Sequence, residues 1–146
     1  MSKIIEIKTV TEGQAQDVIA LMGELDPTIT VTPQMVRRAV KAPGTHFFAV
    51  IDGARIVGCA SLCIFESPTG RKASIEDVVI QQAYRGQRLG KLLIQHVIEY
   101  ARPMAPISLQ LTSRPERGAA NHLYQSLGFH KRETNAYRMD LLVPIP

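Results

Sequence analysis

The sequence predicts an α/β (α+β) fold: a mixed, mostly antiparallel sheet of six to seven strands with helices on both faces. Three observations predict it. Strand-like segments at residues 73–80 and 107–112 are joined by a helical crossover, the connection that makes neighbouring strands parallel. Asp52-Gly53, set between two apolar segments, marks an antiparallel hairpin. The other strand candidates are short segments bounded by turn residues, which suits antiparallel pairing.

The elements follow in order. Residues 4–8 alternate apolar and polar, as a half-buried strand does. Residues 11–25 read as a helix, with Thr11 as its N-cap and Val18, Leu21, Met22 and Leu25 at helical spacing. Asp26-Pro27 stops it. Pro33 occupies the first position of a second helix that runs to Lys41 and ends before Pro43-Gly44. The hairpin strands cover 46–51 and 54–65, and a turn over Ser67-Pro68-Thr69-Gly70-Arg71 leads to the strand 73–80. A glycine turn and a helix over 91–100 come next, with Leu89, Leu92, Leu93, Val97 and Tyr100 on or near one face. Residues 107–112 alternate as a strand, 117–127 read as a short helix, and Gly128 is its C-terminal cap. Final strands are expected at 129–132 and 137–142.

Composition narrows the function classes. With 146 residues, 45% hydrophobic and 21% charged, the chain is expected to form one domain with a real core over residues 1–146. A net charge of +4 favours anionic partners, but aromatics at 5%, no tryptophan and no Lys/Arg run argue against nucleic acid. No stretch has the length of a membrane span and no signal-peptide core is evident, so the cytoplasm is the expected compartment. Cys59 and Cys63 point to one strand face about 13 Å apart, too far for a disulfide, and lack the neighbours of a metal site. They read as buried small hydrophobes.

The segment 75–91 carries the chemistry. The strand Ile75-Glu76-Asp77-Val78-Val79-Ile80 runs into Arg85-Gly86-Gln87-Arg88-Leu89-Gly90 and then Lys91, at the start of a helix. A helix start leaves about four N–H groups without intrahelical partners and carries partial positive charge. Glycines admit a phosphate to that backbone, while Arg85, Arg88 and Lys91 add charge.

Further along stands Asn121-x-x-Tyr124-x-x-x-Gly128-Phe129. The turn, this closing motif and the strand 75–80 together resemble the GNAT superfamily of acyl-CoA-dependent N-acyltransferases. The turn resembles the family's Arg/Gln-x-x-Gly-x-Gly/Ala pattern, with Arg88 where glycine is usual. The strand resembles that of glucosamine-phosphate N-acetyltransferases. By sequence the resemblance covers about residues 73–130, and by element order essentially the whole chain.

The resemblance implies acetyl-CoA as cofactor, no metal, and direct attack by a primary amine. Its diphosphate would lie on the turn formed by Arg85, Gly86, Gln87, Arg88, Leu89, Gly90 and Lys91. Its pantetheine arm would take backbone hydrogen bonds from Val78 and Ile80, as an added strand would, with the thioester near Val78 and Val79. Tyr124 is the expected general acid for the leaving thiolate; packing within its helix is the competing role. Asn121 anchors the cofactor arm or the loop, or caps the helix. Glu76 and Asp77 are expected on opposite strand faces, Glu76 sharing its face with Val78 and Ile80. Glu76 is then the base, acting through water, or binds the substrate ammonium, with Asp77 beside it. Arg114, Arg117 and Arg132 either bind an anionic acceptor or form a solvated basic face. His46 and His122 could titrate near neutrality, but exposed or capping roles are favoured. The expected substrate is a small-molecule amine such as an aminosugar phosphate, the expected assembly a homodimer. A protein amino terminus or lysine is the alternative acceptor, and a non-catalytic acyl-CoA-binding regulatory module the alternative function.

Overall fold

The computed structural model describes residues 2–144. Its elements run β1 (Ser2–Ile7), α1 (Glu12–Leu25), α2 (Pro33–Lys41), β2 (Thr45–Asp52), β3 (Arg55–Ser67), β4 (Gly70–Ile80), α3 (Leu89–Ala101), β5 (Ser108–Gln110) and α4 (Gly118–Ser126). Short 3-10 turns lie at Gln82–Tyr84 and Arg102–Met104. Two compact units result, one ending at Thr112 and the other beginning at Ser113.

The first unit holds a five-stranded sheet in the order β1-β2-β3-β4-β5. Pairing is antiparallel from β1 to β4 and parallel between β4 and β5. Alternation along β2 divides the core between the two sheet faces. Phe47, Ala49 and Ile51 join Val18, Leu21, Val36 and Val40 of α1 and α2 in one buried cluster. Phe48, on the opposite face, meets His96 and Tyr100 of α3 edge-on at 5.3 and 5.1 Å between ring centroids. Helices therefore cover both faces, as the sequence implies.

Local chemistry sets the helix ends. Thr11 and Gln14 form a reciprocal capping box at the start of α1. At its far end the Asp26 N–H donates to Met22 O (2.9 Å), and Asp26 Oδ1 accepts from the Thr28 N–H (3.0 Å), turning the chain before α2. Thr32 caps α2, with Pro33 following it.

In the second unit α4 ends in a Schellman arrangement. The Phe129 N–H donates to Tyr124 O and the Gly128 N–H to Gln125 O, both at 3.1 Å. Gly128 adopts φ +101°, and the rings of Phe129 and Tyr124 pack edge-on at 6.1 Å.

The strand count departs from expectation: five form among the described residues, not six to seven. The missing pair are 129–132 and 137–142. Phe129 is taken by the end of α4, and charged side chains follow it. Residues 137–142 keep a strand's alternation, yet Tyr137, Met139 and Leu141 stand 83–90% exposed. Alternation says how side chains would divide between two faces; it supplies no edge to pair with.

Candidate active site

The pairing of β4 with β5 spans only Lys72 to Ser74 against Ser108 to Gln110. Among the described residues no strand pairs with β4 beyond Ser74 on the side that faces β5, and an unpaired strand edge can accept an extended ligand.

Within that open stretch β4 bulges. Glu76 pairs with Ser61 and Val79 with Cys59, so Asp77 and Val78 together oppose Ala60. Asp77 adopts φ +53°, a conformation that aspartate tolerates better than most residues. The bulge overturns the expected alternation: Ser61 and Cys59 share a face, so Glu76 shares its face with Val79, not with Val78 and Ile80. Glu76 accepts from Ser74 Oγ at 2.6 Å. Both carboxylates are exposed. The surrounding protein nevertheless pushes the Asp77 carboxyl up from its ordinary value, and the Glu76 charge adds to that shift.

The turn after β4 is held by its surroundings. Arg85 donates from Nε to Ile80 O at 2.9 Å, and its guanidinium approaches Glu24 of α1 at 3.4 Å. Tyr84 OH meets Asp52 Oδ2 at 2.5 Å. Gly86 takes φ +83° and Arg88 φ +61°, so Arg88 occupies the left-handed conformation for which glycine is the default. Arg88 is also the N-cap of α3, and its side chain forms no cap. The Leu92 N–H closes the first helical bond onto Arg88 O (3.1 Å), and the N–H groups of Leu89, Gly90 and Lys91 precede it. Gln87, Arg88 and Lys91 are exposed, Leu89 is buried, and no acidic residue opposes an anion in the first turn.

In the second unit, Asn121 Nδ2 donates to the carbonyls of Arg114 (2.8 Å) and Arg117 (2.9 Å), bracing the loop before α4. Tyr124 is 7% exposed, and burial pushes its phenol up against the opposing charge of Arg117. It therefore stays a proton donor at neutral pH. Arg114 and Arg132 are exposed, and Ser113 Oγ is buried with no hydrogen-bond partner among the described residues.

Several contacts escaped the sequence reading. Asp17 lies buried on the apolar stripe of α1, where Oδ1 takes the Arg55 Nε–H (2.8 Å) and Oδ2 the Ile56 N–H (3.0 Å). Its place among Val18 and Leu21 was the available signal. His46 is neither exposed nor a cap: Nδ1 lies 2.7 Å from Glu6 Oε2 and 2.9 Å from Tyr100 OH. Cys59 is buried, and that burial pushes its thiol up; Cys63 is half-buried, and both are free. Among the described residues no group of His, Cys, Asp and Glu is arranged to hold a metal, and no helix is long and apolar enough to cross a membrane.

An unpaired strand edge, a bulge and an amide-rich glycine turn together suit an extended ligand that carries an anionic group. The acetyltransferase (GNAT) family model matches residues 18–129, and the chain belongs to that family. It is similar to the glucosamine 6-phosphate N-acetyltransferase of Trypanosoma brucei brucei, with 32% identity over 147 residues, 94% of this chain and 96% of that protein. It is also similar to the N-alpha-acetyltransferase RimI of Mycobacterium tuberculosis, with 24% identity across 87% of this chain and 79% of the relative. Other relatives are longer. Against a "probable glucosamine 6-phosphate N-acetyltransferase" of Drosophila melanogaster, 33% identical over 96 residues, the match takes in 62% of this chain and 42% of that protein. Among solved structures, an acetyltransferase of Trypanosoma brucei superposes with a TM-score of 0.75 at 28% identity, covering 97% of this chain and all of that one. The chain is thus a GNAT-type acetyltransferase.

Proposed function

We propose that the protein transfers the acetyl group of acetyl-CoA to a primary amine on a small anionic metabolite, an aminosugar phosphate being the first choice. The observation that carries this reading is the open edge of β4 from Glu76 to Ile80, leading directly into the amide-rich turn before α3. Pantetheine, with its two amides, suits the strand edge. The diphosphate suits the N–H groups of Arg88, Leu89, Gly90 and Lys91, with Arg88 and Lys91 adding charge.

In this reaction the neutral amine attacks the thioester carbon. The carbonyl oxygen becomes an oxyanion, which a backbone N–H at Val78 or Val79 stabilises. Collapse expels the thiolate, which takes the Tyr124 proton, while the attacking nitrogen releases its own proton to water and the phenolate is reprotonated from water. The Glu76 and Asp77 carboxylates attract the incoming ammonium, and Glu76 takes its proton through water. Asn121 braces the loop before α4 by donating both amide N–H groups to the carbonyls of Arg114 and Arg117. Arg114 is the proposed contact for an anionic acceptor.

The RimI relative favours a second reading, acetylation of a protein amino terminus. Release of free thiol from acetyl-CoA, followed with glucosamine 6-phosphate, other amino sugars, lysine and peptides with free amino termini, tests both. Turnover with the sugar phosphate supports the first reading; turnover with peptides alone replaces it by the second. Cofactor binding without thiol release across the panel would make the protein a regulatory acyl-CoA-binding module.

A further inference from the structure

The approach to the phosphate turn is fastened by a residue outside it. Glu24 lies in the last turn of α1, where the helix dipole disfavours a carboxylate and no basic residue of that turn compensates. A local rule broken in this way points to a use elsewhere in the fold. Its Oε1 accepts the Gln82 N–H at 2.9 Å and faces Arg85 Nη2 at 3.4 Å. Gln82 opens the 3-10 turn that follows β4, and Gln81 before it supplies no side-chain cap, so Glu24 stands in for one. Arg85, paired with Glu24, also donates to Ile80 O (2.9 Å). Tyr84 between them is fixed to Asp52 on the β2–β3 hairpin. The segment 82–85 entering the glycine turn is thereby tied to α1, to the hairpin and to the end of β4.

We propose that Glu24 is a positioning residue for the phosphate turn. Its carboxylate fixes residues 82–85 and engages the Arg85 guanidinium. The anion is then left to the amides of residues 88–91 and to the exposed side chains of Arg88 and Lys91. The cofactor half of this inference rests on the acetyl-CoA reading above.

The test uses the full chain with Glu24→Ala and Glu24→Gln, the latter keeping an oxygen acceptor for the Gln82 N–H. Hydrogen exchange is measured without ligand, acetyl-CoA affinity by calorimetry, and the thermal midpoint as a control for general damage. In Glu24→Ala the hydrogen-bonded amides of Gln82, Tyr84 and Arg85 exchange about tenfold faster while those of β2 and β3 do not change. Acetyl-CoA Kd rises about tenfold in Glu24→Ala and about threefold or less in Glu24→Gln. Unchanged exchange at Gln82, Tyr84 and Arg85 in Glu24→Ala overturns the inference, as does a loss of affinity equal in the two variants that follows their thermal midpoints. Faster exchange with no binding of acetyl-CoA by the parent chain overturns the cofactor reading, and with it the part of Glu24 in phosphate binding. Exchange and affinity thus tell the two failures apart.

Discussion

Arg88 and Tyr124 carry the sharpest expectations at the scale of single residues. Arg88 holds a left-handed backbone that disfavours any side chain beyond Cα by about 1 kcal/mol. Its guanidinium nonetheless stands where an anion would gain from it. Arg88→Gly is therefore expected to raise the thermal midpoint while weakening acetyl-CoA binding, the two changes having opposite signs. Calorimetry and thermal melts on the same samples check this; a variant that melts lower and binds as well as the parent contradicts it. Tyr124→Phe removes only the proton to be donated. It is expected to lower kcat by about 10²–10⁴ with little change in acetyl-CoA affinity. Because burial raises the Tyr124 pKa, its acid role is available throughout the neutral range and fails only as pH climbs past its ordinary value of 10. A rate unaltered in Tyr124→Phe removes it from the mechanism. The motif containing Tyr124 also has a purely local explanation, since Tyr124, Gly128 and Phe129 together build the end of α4.

At the scale of elements, β4 decides the site. Its bulge was not legible in the sequence because Glu76-Asp77 reads as ordinary alternation with one polar residue too many. Only pairing against β3 shows which residue is extra. The helix ends, by contrast, were legible: Thr11, Pro33 and Gly128 act through their nearest neighbours, so spacing alone identifies them. The glycine turn into the start of α3 was legible for the same reason. Its fastening by Glu24 was not, because that partner lies 58 residues away from Gln82. The two C-terminal strands expected at 129–132 and 137–142 did not form, because a strand exists only through its partner and none of the described residues pairs with them. Gly58 gives a test of packing at β4. A Cβ there would lie 2.6 Å from Ile80 Cδ1 and 3.1 Å from Val79 O. Gly58→Ala is expected to destabilise by about 1–3 kcal/mol in denaturant melts, with Ile80 and the end of β4 displaced. Stability equal to that of the parent would show that this strand end yields easily.

The whole molecule responds to acid through the cluster beneath α3. Partial burial raises the Glu6 carboxyl, but hydrogen bonds and charge from Lys8 and His46 outweigh it and hold it below its ordinary 4.5. The folded value lies below the unfolded one, so this stabilisation is full above about 4.5 and drains away as pH falls through the folded value. Glu6→Gln is expected to cost stability at pH 7 and progressively less below pH 4.5, as thermal midpoints would show; a constant difference contradicts it. We propose a homodimer, an assembly that would cover the exposed apolar side chains of Tyr137, Met139, Leu141, Leu142 and Val143. Light scattering is expected to give twice the mass of the 146-residue chain, and the monomer mass alone would contradict it. The proposed acetyl transfer depends on where acetyl-CoA lies. A crystal structure with the cofactor is expected to place its diphosphate on the amides of residues 88–91 and its pantetheine along β4 from Glu76 to Ile80. A diphosphate bound elsewhere, with that turn empty, would contradict it.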